Sequence, residues 1–265
     1  MSGGGRSLVV FVHGLWMHAD SWQPWVELFD RNGYDCVKAT WPGEGATVAD
    51  CRANPQRFVG SDAYQVARQV SDLTRRLDRA PIVVGAGEGA AFAEIVLDER
   101  IASAAIELTP APALCSGPGA INALRRWPGW GNLVRADRPV MPSQDRFHRV
   151  FANTVARAES DRLHSTYVVP GVSRPLLGLR RHAGTGRPYL ARAPDRGPLL
   201  LISGGRDVCT PEAGVSALHG MHRRRNPDAA TDYQVFPGRG HSMAIDRGWQ
   251  EIAHFCLDWL TAQNL

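Results

Sequence analysis

Gly85, Gly87 and Gly89 alternate at a corner between the β-branched run Ile82-Val83-Val84 and a helical pattern from Glu88 to Asp98. Glycines at a strand-to-helix corner serve two kinds of chemistry. In a Gly-x-Ser-x-Gly turn, a tight backbone lifts a nucleophile above the end of the strand. Gly85 and Gly89 match that template, and the nucleophile position is Gly87, which has no side chain to attack with. In a Gly-x-Gly-x-x-Ala turn, the glycines let the backbone approach a dinucleotide pyrophosphate. Gly85, Gly87 and Ala90 match that one, and Glu107 follows Gly87 by about 20 residues, where an acidic ribose ligand would be sought.

Either chemistry needs a sheet to present it. Six short apolar runs read as strands: Ser7–Val12, Cys36–Thr40, Ile82–Val84, Ala104–Leu108, Leu199–Ser203 and Tyr233–Phe236. Helical patterns lie between them: from Asp20 or Ser21 to Arg31, from Ser61 or Asp62 with Val66, Val70, Leu73 and Leu77 on one face, from Glu88, from Pro211, and from Trp249 to Leu260. Residues 46–60 show little periodicity. Between Thr109 and Pro198 the composition shifts to Gly, Pro, Arg and Trp, with short helical patches such as Gln144 to Arg157. This stretch is too long for a plain loop and reads as an insertion. Alternating strands and helices predict a parallel sheet with helices on both faces. Right-handed crossovers then bring His13, Trp41, Gly87, Thr109, Asp207 and His241, which all follow strands, to one edge.

Composition narrows the partners. The chain has 265 residues, is 44% hydrophobic, and carries a net charge of +4 with a pI of about 9.0. Lys38 is the only lysine, and the arginines are scattered apart from Arg223-Arg224-Arg225. A nucleic-acid surface would cluster its cations among aromatics, so none is expected. No apolar run is long enough to span a bilayer. The glycine-rich start has no signal-peptide pattern, so a cytoplasmic location is expected. Cys36, Cys51, Cys115, Cys209 and Cys256 form no paired motif and read as free thiols.

Several motifs in order carry a resemblance. Phe11-Val-His13-Gly14, Ser21-Trp-Gln-Pro-Trp25, Trp41-Pro-Gly-Glu44, Gly204-Gly-Arg-Asp207-Val-Cys-Thr-Pro211 and Phe236-Pro-Gly-Arg-Gly-His241 resemble the α/β-hydrolase superfamily over nearly the whole chain. More narrowly, they are similar to a bacterial subgroup of small capped hydrolase-like proteins. The resemblance implies an α/β-hydrolase fold: a mainly parallel sheet of six strands, a core of residues 1–110 and 199–265, and a helical cap of residues 111–198. It implies that Asp207 orients a catalytic His241. It also implies a pocket of His13, Gly14, Leu15, Trp16, Gly87 and Trp41, with the Leu15 and Glu88 N–H groups as oxyanion donors. In the cap, Trp127 and Trp130 are candidates for contacting an aromatic or polycyclic substrate. The departure is at the centre, where the family reads Gly-His-Ser-x-Gly and this chain reads Gly85-Ala86-Gly87-Glu88-Gly89.

Without a serine, the usual acyl-enzyme route is closed. A His–Asp pair is still a competent general base, because imidazole titrates near neutral pH. The resemblance then implies a cofactor-free elimination, isomerisation, cyclisation or rearrangement of an apolar small molecule, in a tailoring step of secondary metabolism. Water attack promoted by His241 is also open. Glu88 is either a solvated acid at a helix start or, if turned into the pocket, a base in place of the lost nucleophile. The competing class is a non-catalytic protein that binds a small molecule. Dinucleotide binding is the weaker reading, since that fingerprint belongs to a first strand–helix unit and two such units precede it here. No metal site is expected, as His148 and His164 lack ligand spacing.

Overall fold

The structure, a computed structural model, describes residues 5–111, 138–174 and 193–265. Trp127, Trp130 and Cys115 lie outside the described residues. Six strands form one parallel sheet: β1 (Ser7–Val12), β2 (Tyr34–Ala39), β3 (Ile82–Ala86), β4 (Ala104–Leu108), β5 (Leu199–Gly204) and β6 (Thr231–Phe236). Their order is β2-β1-β3-β4-β5-β6. The chain leaves β1 towards one edge and returns to β3 on its other side. The loops after β1 and β3 therefore diverge, and a crevice opens between them.

Strand periodicity distributes the core. Val9 and Phe11 of β1 face one side, with Ile82, Val84, Ile106, Leu200 and Ile202. Two helices cover that side: α1 (Gln23–Arg31) and the closing helix Trp249–Ala262. Phe11 packs on Trp22 and Phe29 with centroids 5.1 and 5.4 Å apart. Val10 and Val12 face the other side. There they meet α3 (Ala63–Arg75), α4 (Glu88–Asp98) and Glu212–Arg225. A continuous apolar run buried on both faces is what a parallel strand requires. Asp62 opens α3 with a capping box, its carboxylate accepting from Gln65 N–H while the Gln65 side chain accepts from Asp62 N–H.

Two regions depart from the expected pattern. Residues 46–60 contain α2 (Val48–Ala53) and a 3-10 turn at Pro55–Phe58. Cys51 and Phe58 are the buried side chains of these turns, too few to show a period. Tertiary contacts hold them: Cys51 and Phe58 pack with Val169 and Val172, and the Arg52 guanidinium donates to the carbonyls of His164 and Val168. The helical patch expected over Gln144 to Arg157 is broken. A single α-turn at Gln144–Arg146 runs into a π-helical turn, Phe147–Phe151, and α5 (Arg157–Tyr167) begins afresh. The helices Glu212–Arg225 and Trp249–Ala262 complete the set as α6 and α7. Among the described residues, no helix is long and apolar enough to cross a membrane.

Close packing of α4 on the sheet explains two of the corner glycines. A Cβ on Gly85 would collide with the Gly89 carbonyl, and one on Gly89 with the carbonyl of Val12. Gly89→Ala should therefore destabilise the protein by about 3 kcal/mol, at the upper end of overpacking costs because backbone atoms cannot step aside. Urea unfolding checks this; an unchanged midpoint would mean that α4 does not approach β1 so closely.

Candidate active site

The turn between β3 and α4 places Gly87 at φ 57° and ψ −119°, in the region that disfavours side chains. The fold nevertheless leaves room for one there. A Cβ on Gly87 would stand 3.6 Å from the Gly14 Cα and 3.9 Å from His241 Nε2. The position is shaped for a side chain that would face the imidazole, and the sequence supplies a hydrogen.

His241 opens a buried 3-10 turn after β6. Its Nδ1 meets Asp207 Oδ2 at 2.8 Å. The other Asp207 oxygen accepts from the N–H groups of Cys209 and Thr210, at 2.7 and 2.8 Å. The carboxylate is thus fixed from both sides, and the Nδ1 proton is directed into it. Asp207 shapes its own loop rather than capping α6, whose N-cap is Pro211. The Phe151 ring, at the end of the π-helical turn, stands edge-on to His241 with centroids 4.6 Å apart. Two serines and a thiol of the described residues are otherwise engaged or held protonated. Ser242 Oγ donates to Asp246 at 2.9 Å, Ser203 Oγ bonds Tyr233 OH at 2.7 Å, and burial raises the Cys209 thiol well above its ordinary range.

The loop after β1 is held by an acid the sequence reading quoted only inside a motif. Glu44 is almost fully buried and accepts from Ala19 N–H at 2.7 Å and Trp41 N–H at 2.8 Å. Its Oε2 also meets His13 Nε2 at 2.9 Å, while His13 Nδ1 meets the Gly14 carbonyl at 2.9 Å. Both ring nitrogens face acceptors, so His13 is an imidazolium. Burial pulls its pKa down, but Glu44, the Gly14 carbonyl and Glu88 together outweigh that and leave it raised. Burial pushes Glu44 up, and His13 with the two N–H donors brings it below its ordinary value. His13 therefore positions the loop and has no nitrogen left for substrate. Trp41 stacks on it at 5.4 Å. Trp41 and Trp16 line a separate cavity of about 310 Å³ behind the loop, not the space over Gly87.

Glu88 carries the main surprise. As the first residue of a helix it was a candidate for a solvated acid, yet it is 1% exposed. Its Oε2 accepts from Leu15 N–H at 2.9 Å, and its own backbone N–H also favours the charged carboxylate. Those two groups were the expected oxyanion donors, so the hole is already filled by a carboxyl group. The other oxygen, Oε1, is buried without a hydrogen-bond partner. Burial raises the Glu88 pKa, against smaller opposing contributions from its N–H donors and the histidines.

The pocket over Gly87 encloses about 420 Å³ of empty space, part of it open to solvent. Its walls bring together His13, Gly14, Leu15, Gly87, Glu88 and His241 with Thr109, which the strand order places at this edge, and Phe151, which nothing in the sequence singled out. Thr109 holds φ 44°, a strained value for a β-branched residue, at the end of β4. Glu107 is not on this wall; it lies fully buried inside β4, where burial, partly offset by Arg196, raises it to about 8. It is out of reach of a ligand over the glycine turn. Among the described residues, no His, Cys, Asp and Glu cluster could hold a metal ion.

A family model described as "Alpha/beta hydrolase family" matches residues 9–255. The chain belongs to the α/β-hydrolase family. Its solved neighbours share the α/β-hydrolase fold at low identity. It is similar to a methylesterase from Arabidopsis (TM-score 0.67, 19% identity, covering 96% of this chain and 99% of that one). It is also similar to a monoacylglycerol lipase from Paleococcus ferrophilus (0.66, 16%, 97% and 94%). A third is a putative non-heme bromoperoxidase from Mycobacterium tuberculosis (0.66, 18%, 98% and 94%). No curated protein sequence matches. In this α/β-hydrolase-family chain the turn between β3 and α4 carries Gly87, which has no side chain.

Proposed function

We propose that this α/β-hydrolase-family protein is a serine-independent enzyme, in which His241, oriented by Asp207, is general acid and base towards an apolar small molecule bound over Gly87. The carrying observation is the intact His241–Asp207 pair facing an unfilled side-chain position. With Nδ1–H committed to Asp207, Nε2 holds the lone pair on the pocket side. The carboxylate stabilises the imidazolium that forms when a proton is taken. Volume left by the missing side chain lets a substrate carbon approach that nitrogen. Isomerisation, elimination, cyclisation and rearrangement all begin with such a proton transfer. The neighbours named as a methylesterase and a lipase support hydrolysis as the family's common chemistry, but Gly87 cannot form an acyl-enzyme here.

A second reading, a non-catalytic protein that binds a small molecule, is favoured by the filled oxyanion hole. The two separate without knowledge of the natural substrate. Enolisable probes, acetophenone and cyclohexanone, are incubated in D₂O and loss of their α-proton NMR signals is followed. The wild type should accelerate exchange, and His241→Ala should lower the rate by roughly 100-fold. Equal rates in the two proteins would leave the binding reading.

A further inference from the structure

We propose that Glu88 is a catalytic acid of this site, whose carboxyl group, seated in the oxyanion hole, presents Oε1–H to the carbonyl oxygen of an enolisable substrate while His241 takes the proton from the adjacent carbon. This rests on the acid–base reading above and adds a substrate class, neutral carbonyl compounds with an acidic α-carbon.

The geometry assigns the two oxygens different tasks. Oε2 accepts from Leu15 N–H, a donor, so a proton on this carboxyl resides on Oε1. Oε1 is buried and has no hydrogen-bond partner among the described residues, and Glu88 is one of the residues lining the pocket. An unsatisfied buried polar atom destabilises the protein that carries it. A ligand that bonds it recovers that cost. Among the described residues, the charged groups around it favour ionisation of Glu88 less than burial opposes it. On the β1 side, His13 is already neutralised by Glu44 and both its nitrogens are engaged. On the far side, His241 is paired with the Asp207 carboxylate, and the Cys209 thiol behind them is held protonated by burial. Burial of Glu88 favours its neutral form in the same direction. A buried carboxyl kept neutral so that it can donate is an established way to stabilise an enolate.

The step balances without a co-reactant. The α-C–H bond breaks and its proton moves to His241 Nε2. The electron pair forms the C=C bond of an enol as the carbonyl oxygen takes the Oε1 proton. The charge left on Glu88 falls on the carboxylate that Leu15 N–H and Glu88 N–H already grip. The oxyanion hole thus stabilises developing charge at one remove, on the acid rather than on the substrate. Return of the proton from His241 to another carbon of a conjugated system, and of the enol proton to Glu88, gives an isomer.

The test is Glu88→Gln, with Glu88→Ala as a second variant, both checked for folding by urea unfolding. The wild-type exchange profile with acetophenone should have an alkaline limb, falling at high pH as Glu88 ionises. Glu88→Gln should lower the rate about 100-fold and abolish the alkaline limb. The wild-type-minus-Gln infrared difference, at the pH of maximal exchange or at neutral pH if there is none, should contain a carboxylic-acid C=O band. Only carboxylate bands there would overturn the proposal, even in a protein that exchanges nothing. Exchange that survives in both Glu88 variants but is lost in His241→Ala would overturn the role of Glu88 and leave the His241 reading standing. An inactive wild type that shows the acid band would remove the acid–base reading and, with it, the catalytic role of Glu88.

Discussion

Gly87→Ser combined with Glu88→Ala should make this protein an esterase, hydrolysing p-nitrophenyl acetate on the order of 10³-fold faster than the wild type. Gly87→Ser alone should gain much less. The serine Cβ would stand 3.9 Å from His241 Nε2, so its hydroxyl lies within hydrogen-bonding reach of a base already backed by Asp207. The cost of a side chain at φ 57° is about 1–2 kcal/mol and is local to the turn. In the single variant, however, the tetrahedral intermediate finds its hole occupied by the Glu88 carboxyl. Removing that side chain frees Leu15 N–H and the N–H of residue 88 to bind the oxyanion. One such donor is worth roughly 10²–10³ in kcat, which is the expected ratio of the double to the single variant. A phenolate burst followed by stopped flow measures both, and adding His241→Ala should remove the gain. Equal rates in the single and double variants would show that Glu88 does not block the hole.

Glu44→Ala should destabilise the fold by about 3–5 kcal/mol, the cost of stripping the partner from a buried charge. The substitution leaves the His13 imidazolium without its carboxylate and the N–H groups of Ala19 and Trp41 without an acceptor. The pH dependence carries the sign of each partner. The folded His13 pKa is raised, so its share of the stability is complete below about 6.5 and is lost as pH climbs through the raised value. The folded Glu44 pKa is lowered, so its share is complete above about 4.3 and is lost as pH falls through the lowered value. The gap in unfolding free energy between wild type and variant should be widest between about pH 4.3 and 6.5 and narrow on either side. A gap independent of pH, measured by urea unfolding across that range, would mean that His13 and Glu44 are not an ion pair.

Much of the scaffold was legible because it rests on local pattern. Each strand is a short apolar run, and Asp62 with Gln65 spells a capping box at the start of α3. Residues 46–60 were not legible, because α2 has one buried side chain and depends on Arg52 reaching carbonyls more than a hundred positions away. The break at Phe147–Phe151 was hidden for a related reason: a π-helical turn shifts phase without a breaker residue to announce it.

The site divides along the same line. By itself, the sequence determined that a glycine stands at the centre of the strand-to-helix turn, and that Asp207 and His241 follow the strands that bring them together. Those are matters of residue identity and of order along a parallel sheet. Only the tertiary structure decided where the acids point. Glu88 at a helix start and Glu44 in a loop both look like solvent-exposed carboxylates in the sequence. That both turn inward depends on donors from other segments, Leu15 for one and His13 and Ala19 for the other. A buried carboxyl is determined by the hydrogen-bond partners that converge on it from across the fold, and one-dimensional spacing carries no record of that convergence.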